Sequence, residues 1–366
     1  MNTKFKNYAV ILLASAFVLV LSVWGIIKPH GEFSESERRQ LAEFPKLNKE
    51  TVMSGEFMTD TESFALDNFP LRDKMRTLKA FTAMKLMGLR DNNGVYMSEG
   101  YISKLEYPLN TDSLDYASER FENIYNNYLS DTECSVYLSI IPDKNYFLAE
   151  DNGYPSMEYK KLEEYMREQC GYMNYIDISD TLEIGDYYKT DTHWRQEKIK
   201  DTAEKLASEM GTAVRSDYTQ QLLDNPFYGV YYGQLALPCD ADEIYYLEND
   251  MLRNCKVYNY ETDSEGSMYD MEKAYGKDPY EMYLLGSVSL IEITNPNASS
   301  DKELIVFRDS FGSSLAPLLA EGYSKITLVD IRYLSSAMLG NFMDFENQDV
   351  LFLYSTLVLN NSVTLK

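Results

Sequence analysis

The chain has 366 residues, 45% hydrophobic and 25% charged, a composition that supports a buried core and excludes wholesale disorder. Acidic residues outnumber basic ones 58 to 34, giving a net charge of −24, and a body of that sign repels nucleic acid and anionic lipid surfaces. The 31 tyrosines each join a flat apolar face to a polar tip, which suits carbohydrate contact, although for most of them a compositional habit is sufficient explanation.

Residues 8–27, "YAVILLASAFVLVLSVWGII", carry no charge and are long enough to cross the hydrocarbon core as a helix. Lys4 and Lys6 precede them, which predicts a cytoplasmic N-terminus and an external body. The run exceeds the apolar region of a signal peptide, and Trp24–Pro29 offers no small-x-small site, so residues 1–28 are expected to stay as a single-pass membrane anchor. Residues 29–92 read as a polar stalk, holding His30, followed by a helical arm over 55–88. Leu71, Met75, Leu78, Phe81 and Leu86 recur near a helical period in that arm, after Pro70 and before Gly88.

From residue 93 the pattern alternates to the end of the chain. A hairpin is expected over 94–105 with Gly100 in its turn, then a helix over 112–129, an apolar strand over 135–144 and a helix over 157–170. A short strand over 173–180 and a helix over 195–210, stopped by Gly211, follow. Residues 221–285, rich in Tyr and acid, read as an insertion with strand-like pieces "EIYYLE" and "KVYNYE". The strands "ELIVF" (303–307), "KITLVDI" (325–331) and "DVLFLYS" (349–355), with a helix from Ser310 to about Glu321, indicate a parallel sheet with crossovers. The four cysteines, Cys134, Cys170, Cys239 and Cys255, match no metal-ligand spacing. If any two pair, Cys239 and Cys255, which flank an expected hairpin, are the favoured pair.

Two stretches concentrate chemistry. In "ELIVFRDSFGSSLAPLL" a strand ends and a helix begins around Ser310, the edge of an open α/β sheet where ligands bind and where helix N–H groups can hold an oxyanion. In "YYKTDTHWRQEK" His193 is the one histidine of the body, with Asp191 two residues before it and Trp194 directly after. A serine needs a base, and an imidazole base needs a partner on its other nitrogen. The expected roles are nucleophile for Ser310, base for His193 and orienting acid for Asp191, with the Ser310 or Phe311 N–H as oxyanion donor. Trp194 would wall the pocket or pack beneath it. The competing reading makes Asp309–Ser310 a plain helix cap and Asp191 or Thr192 another.

"YYKTDTHWRQEK" and "VFRDSFGSSLAPLL", with "SERRQLAEFP", "FALDNFPLRDKM" and "IIPDK" in matching order, resemble the DHHW proteins, which are similar to the alginate O-acetyltransferase group of SGNH-hydrolase-like proteins. The resemblance spans most of the chain after the anchor, and its DxHW and DSF blocks are the specific parts. It implies an SGNH-hydrolase-like three-layer α/β sandwich with a parallel sheet, and it assigns the triad to Asp191, His193 and Ser310. Thr192 stands where the family name has its first His, Arg308 where many SGNH proteins have Gly, and no oxyanion Asn is located. Lys144, Arg332 and Tyr333 lie just past strand ends, on the expected site edge, and read either as substrate contacts or as solvated loop residues. The implied function is an O-acyl, foremost O-acetyl, transferase or esterase acting on an extracellular polysaccharide. A multi-span membrane O-acyltransferase would supply acetyl groups, and no cofactor or metal is called for. The alternative is a non-catalytic, membrane-tethered glycan-binding or assembly protein with a degenerate site.

Overall fold

Long apolar runs of β-branched and aromatic residues need cover on both faces, and four of them lie side by side in the larger of two compact units. The computed structural model describes residues 3–34, 36–214 and 217–366. One unit comprises Met1–Asn93 with Tyr232–Cys239, the other Gly94–Tyr231 with Asp240–Lys366.

The smaller unit begins with α1 (Thr3–Ile27), in which Phe5–Ile27 is long and apolar enough to cross a membrane and is not buried by the protein. Helices α2 (Lys49–Ser54), α3 (Glu56–Asp67) and α4 (Arg72–Phe81) follow. The sequence reads 55–88 as helical; the structure interrupts it between Asp67 and Arg72, where Pro70 has no amide to donate. A wider helical turn, Thr82–Leu86, continues α4 up to Gly88, whose φ of 74° ends it.

In the larger unit a hairpin, Val95–Ser98 with Tyr101–Lys104, turns at Glu99 and Gly100 and precedes α5 (Thr111–Ile124). Next come β1 (Ser135–Ile141), α6 (Tyr159–Gln169), β2 (Asn174–Tyr175) and α7 (Lys200–Glu209). Then follow β3 (Lys256–Asn259), β4 (Ser264–Gly266), β5 (Leu290–Thr294), β6 (Glu303–Arg308), α8 (Gly312–Leu319), β7 (Lys325–Val329) and β8 (Asp349–Ser355). The eight strands form one sheet in the order β4-β3-β5-β7-β6-β8-β1-β2, parallel from β7 through β2. Side chains alternate between its faces. Leu304 and Val306 of β6 join the core under α7 and α8, while Ile305 and Phe307 join the core under α5 and α6. This is the three-layer α/β sandwich with a largely parallel sheet.

Strand β5 was not legible in advance. Its "LIEIT" breaks an apolar run with Glu292, and it pairs antiparallel to β7 and β3. Through it the expected insertion contributes β3 and β4 to the main sheet. Cys255 forms no disulfide; its thiol donates to the Met251 carbonyl at 3.4 Å, so the Cys239–Cys255 pairing is not made.

Candidate active site

The C-terminal ends of β6 and β8 build the first half of the site. After Arg308 the chain turns sharply, and Asp309 holds the turn. One carboxylate oxygen accepts the Phe311 N–H at 3.0 Å, and the other accepts the Ser355 N–H at the end of β8 at 2.8 Å. Gly312 is required here, because a Cβ on it would lie 2.8 Å from the Arg308 Cβ. The turn leaves Ser310 partly exposed at the strand–helix junction, and among the described residues its N–H has no hydrogen-bond partner.

The second half is the loop 187–194. Tyr187 and Trp194 pair across its base, and the Tyr188 N–H donates to the His193 carbonyl at 3.0 Å. Asp191 accepts the His193 N–H at 3.1 Å and, on its other oxygen, the Val230 N–H at 3.0 Å. Gly229 permits that approach, since a Cβ there would sit 2.3 Å from the Asp191 Cα. Asp242 secures the loop from the same Tyr-rich segment by accepting the Lys189 and Thr190 N–H groups at 2.8 and 2.7 Å.

These two halves meet. His193 Nε2 lies 2.7 Å from Ser310 Oγ, and His193 Nδ1 lies 2.6 Å from Asp191 Oδ1. An ionised carboxylate only accepts, so Nδ1 carries the proton and the Nε2 lone pair faces the serine hydroxyl. Tyr280 stacks flat on the imidazole, with centroids 3.8 Å apart and planes 7° from parallel. Its hydroxyl reaches Ser314 Oγ at 2.9 Å and the Ser310 carbonyl at 3.3 Å, and burial pushes its pKa well above the usual phenol value, keeping it neutral. Nothing in the sequence singled out Tyr280, which sits in a tyrosine-rich segment without periodicity.

Three expected contacts are corrected. Trp194 is fully buried and donates its indole N–H to Ser314 Oγ at 2.9 Å and the Phe311 carbonyl at 3.2 Å, so of its two expected places it takes the one beneath, under α8, and does not wall the pocket. Lys144 is also buried, and its ammonium donates to the Tyr188 and Lys189 carbonyls at 2.9 and 3.2 Å, bracing the histidine loop from behind. The Phe311 N–H, expected as an oxyanion donor, is already taken by Asp309. Arg332 and Tyr333 do reach the surface. Arg332 grips Asp330 through Nε and Nη2 at 2.9 and 2.6 Å and keeps a partly exposed edge, and Tyr333 is exposed. Buried Arg308 sits 3.7 Å from Asp330, its Nε without a hydrogen-bond partner, and desolvation lowers its pKa. Among the described residues no His, Cys, Asp or Glu cluster could hold a metal.

Asp143, beside Lys144, gives a test of the local electrostatics. It is buried, and desolvation pushes its pKa to about 6 despite hydrogen bonds from the Thr356 hydroxyl and the Asn145 N–H. A carboxyl whose folded pKa exceeds its unfolded value of about 3.9 stabilises the fold fully below that value, and its contribution is lost as pH rises through 6. Asp143→Asn should therefore gain on the parent between pH 4 and 7 by about 2–3 kcal/mol, seen as a widening difference in Tm. A Tm difference that stays flat across that range would contradict it.

The fold is similar to that of a DHHW family protein. The solved structure of that protein, from Eubacterium siraeum, superposes with a TM-score of 0.60 at 18% identity, covering 75% of this chain and 94% of the other. PatB1 of Bacillus cereus is also similar. Its structure with a sulfonyl adduct gives a TM-score of 0.57 at 16% identity, covering 72% of this chain and 95% of PatB1. A second PatB1 structure gives 0.57 at 17%, covering 72% and 96%. Neither a family model nor a curated protein sequence matches the chain.

Proposed function

We propose that the chain is a serine-dependent O-acyltransferase or esterase of the cell surface, acting foremost on acetyl groups of an extracellular polysaccharide. The observation that carries this reading is the continuous hydrogen-bonded path Ser310–His193–Asp191, with links of 2.7 and 2.6 Å. In the first step Ser310 Oγ attacks the carbonyl carbon of an acetyl ester while His193 Nε2 takes the hydroxyl proton. Asp191 stabilises the imidazolium, and the Ser310 N–H faces the developing oxyanion. The tetrahedral intermediate collapses, His193 returns the proton to the departing alkoxide, and acetyl-Ser310 remains. A sugar hydroxyl or water then attacks the new ester, losing its proton to His193, and His193 passes that proton to Ser310 Oγ as the acetyl group leaves. Tyr280 limits rotation of the ring between the two half-reactions.

Likeness in fold to the DHHW protein and to PatB1 supports this reading, as does the resemblance of the DxHW and DSF blocks to the alginate-type group. The helix α1 would hold the body outside the membrane, where a multi-span O-acyltransferase could deliver acetyl groups. Arg332 and Tyr333, at the exposed end of β7, would contact the glycan.

Brief exposure to p-nitrophenyl acetate, quenching and peptide mass spectrometry should find one acetyl group on Ser310. Adding an oligosaccharide acceptor should speed its loss if the reaction is transfer and leave it unchanged if it is hydrolysis. No adduct on Ser310, under conditions where the protein is folded, would remove the reading.

A further inference from the structure

Helix α4 presents the wrong face to its own unit for a soluble protein. Its two arginines are the partly buried, ion-paired residues, and Ala80 is its one buried residue. Arg72 pairs with Glu37 and lies 3.4 Å from Asp67, while Arg76 donates to the Gly233 carbonyl at 2.7 Å and lies 3.1 Å from Glu37. Arg39 adds a two-pronged bond to Asp67, and that bond holds the Asp67 carboxyl down at about 2. An adjacent side carries Met75 and Leu78, continued by the cap residue Leu71 before it and by Leu86 in the turn beyond. All four are exposed, Leu78 at 58% and Leu86 at 71%. Lys74 and Lys85 are also exposed beside this stripe, and neither has a hydrogen-bond or ion-pair partner among the described residues. A contiguous apolar face of this kind, flanked by lysines, is costly in water and typical of a helix lying in a lipid interface.

The neighbouring elements point to what covers it. The turn that leads into α4 is packed on the end of α1. Lys28 Nζ donates to the Phe69 carbonyl at 3.3 Å, and a Cβ on Gly25 would lie 3.5 Å from the Pro70 ring. His30 meets the Phe64 ring edge-on, with centroids 4.9 Å apart. An apolar cleft of about 550 Å³, lined by Leu21, Gly25, Ile26, Phe44, Phe64 and Phe69, opens at this junction. The exposed stripe therefore starts where the membrane-crossing candidate ends.

We propose that α4 and its following turn lie in the headgroup layer of the bilayer that α1 crosses. Leu71, Met75, Leu78 and Leu86 enter the acyl boundary, and Lys74 and Lys85 reach the phosphates of anionic phospholipid. The proposal rests on α1 being a retained anchor. It gives this acidic chain one strip that attracts an anionic surface, and it anchors the small unit at a second point.

The test uses the full-length chain in vesicles of phosphatidylcholine with and without phosphatidylglycerol, with Cys134 and Cys239 replaced by serine. A nitroxide is placed in turn by Leu78→Cys, Leu86→Cys, Val18→Cys and Asp73→Cys, and its collisions with oxygen and with a water-soluble nickel chelate are compared. Labels at 78 and 86 should favour oxygen, as the α1 label at 18 does, and the label at 73 should favour the chelate. Phosphatidylglycerol should deepen 78 and 86, and Lys74→Glu with Lys85→Glu should remove that shift. Labels at 78 and 86 that behave like 73, while 18 remains in lipid, would overturn the proposal alone. A label at 18 that meets the chelate would instead overturn the anchor beneath it. Labels at 78 and 86 shielded from both reagents would mean that protein covers the face, and would also overturn it.

Discussion

Ser310→Ala should lower turnover of an acetyl ester by about 10⁴- to 10⁶-fold and leave the fold intact. The hydroxyl makes one side-chain hydrogen bond, to His193, so its removal opens no cavity and orphans no group that water cannot reach. Thermal stability should move by about 1 kcal/mol or less. His193→Ala should cost a similar factor, because a serine without its base is a poor nucleophile at neutral pH. The double variant should be no worse than either single one, since both losses break the same proton path. The measurement is steady-state hydrolysis of p-nitrophenyl acetate beside a melting curve for each variant. If Ser310→Ala keeps a tenth of the parent rate, the serine is not the nucleophile. If the two single losses multiply in the double variant, the residues do not act as a unit.

Asp191→Asn should cost on the order of 10⁴ in turnover, whereas Asp309→Asn should act first on stability. The two acids are both buried, and both accept backbone N–H groups, but they face different partners. Asp191 alone reaches the imidazole, at 2.6 Å from Nδ1. An amide in its place can present N–H to that nitrogen and favour the tautomer whose proton sits on Nε2, which can no longer accept from Ser310. Asp309 spends both oxygens on the Phe311 and Ser355 N–H groups. An amide there must point N–H at N–H on one side, at a cost of about 1–3 kcal/mol. A large loss of rate with a near-parental Tm is expected for Asp191→Asn, and a Tm lowered by several degrees with much activity retained for Asp309→Asn. The reverse pattern would exchange the roles of the two acids.

The parallel strands of the large unit and most of its helices were legible because each announces itself locally. "ELIVF", "KITLV" and "DVLFLYS" are too apolar and too β-branched to sit anywhere but inside a sheet. The "RDSFG" that follows the first of them breaks the strand, supplies a turn-holding acid and starts a helix. The sequence separation of two between Asp191 and His193 limited the acid to one plausible partner in the loop. The apolar run of 8–27 and the helical stripe of 71–86 were likewise read from composition and period alone.

Other features were not legible, because a local pattern records that a side chain is apolar, charged or periodic and not which distant surface it will meet. Lys144 follows a strand end, where a cation on the site edge was the natural expectation; the fold instead brings the Tyr188 and Lys189 carbonyls over it, and two acceptors make burial of the ammonium tolerable. The Phe311 N–H looked available until Asp309 turned back to accept it. Tyr280, Gly229 and Asp242 come from a stretch with no usable periodicity, and each matters only through what the sheet topology places beside it. For α4 the period marked an apolar stripe, but a stripe facing lipid has the same spacing as one facing a core.

By itself the sequence determined the class of fold, the elbow that carries Ser310 and the pairing of Asp191 with His193, because each rests on residues within a few positions of one another. Tertiary structure decided that His193 and Ser310, 117 positions apart, stand 2.7 Å from each other. It also decided that Tyr280 covers the ring, that Trp194 lies under α8 and that α4 turns its leucines outward. Those outcomes depend on which strand ends the crossovers bring together and on which buried polar groups find partners there, and neither is written in any local window of the chain.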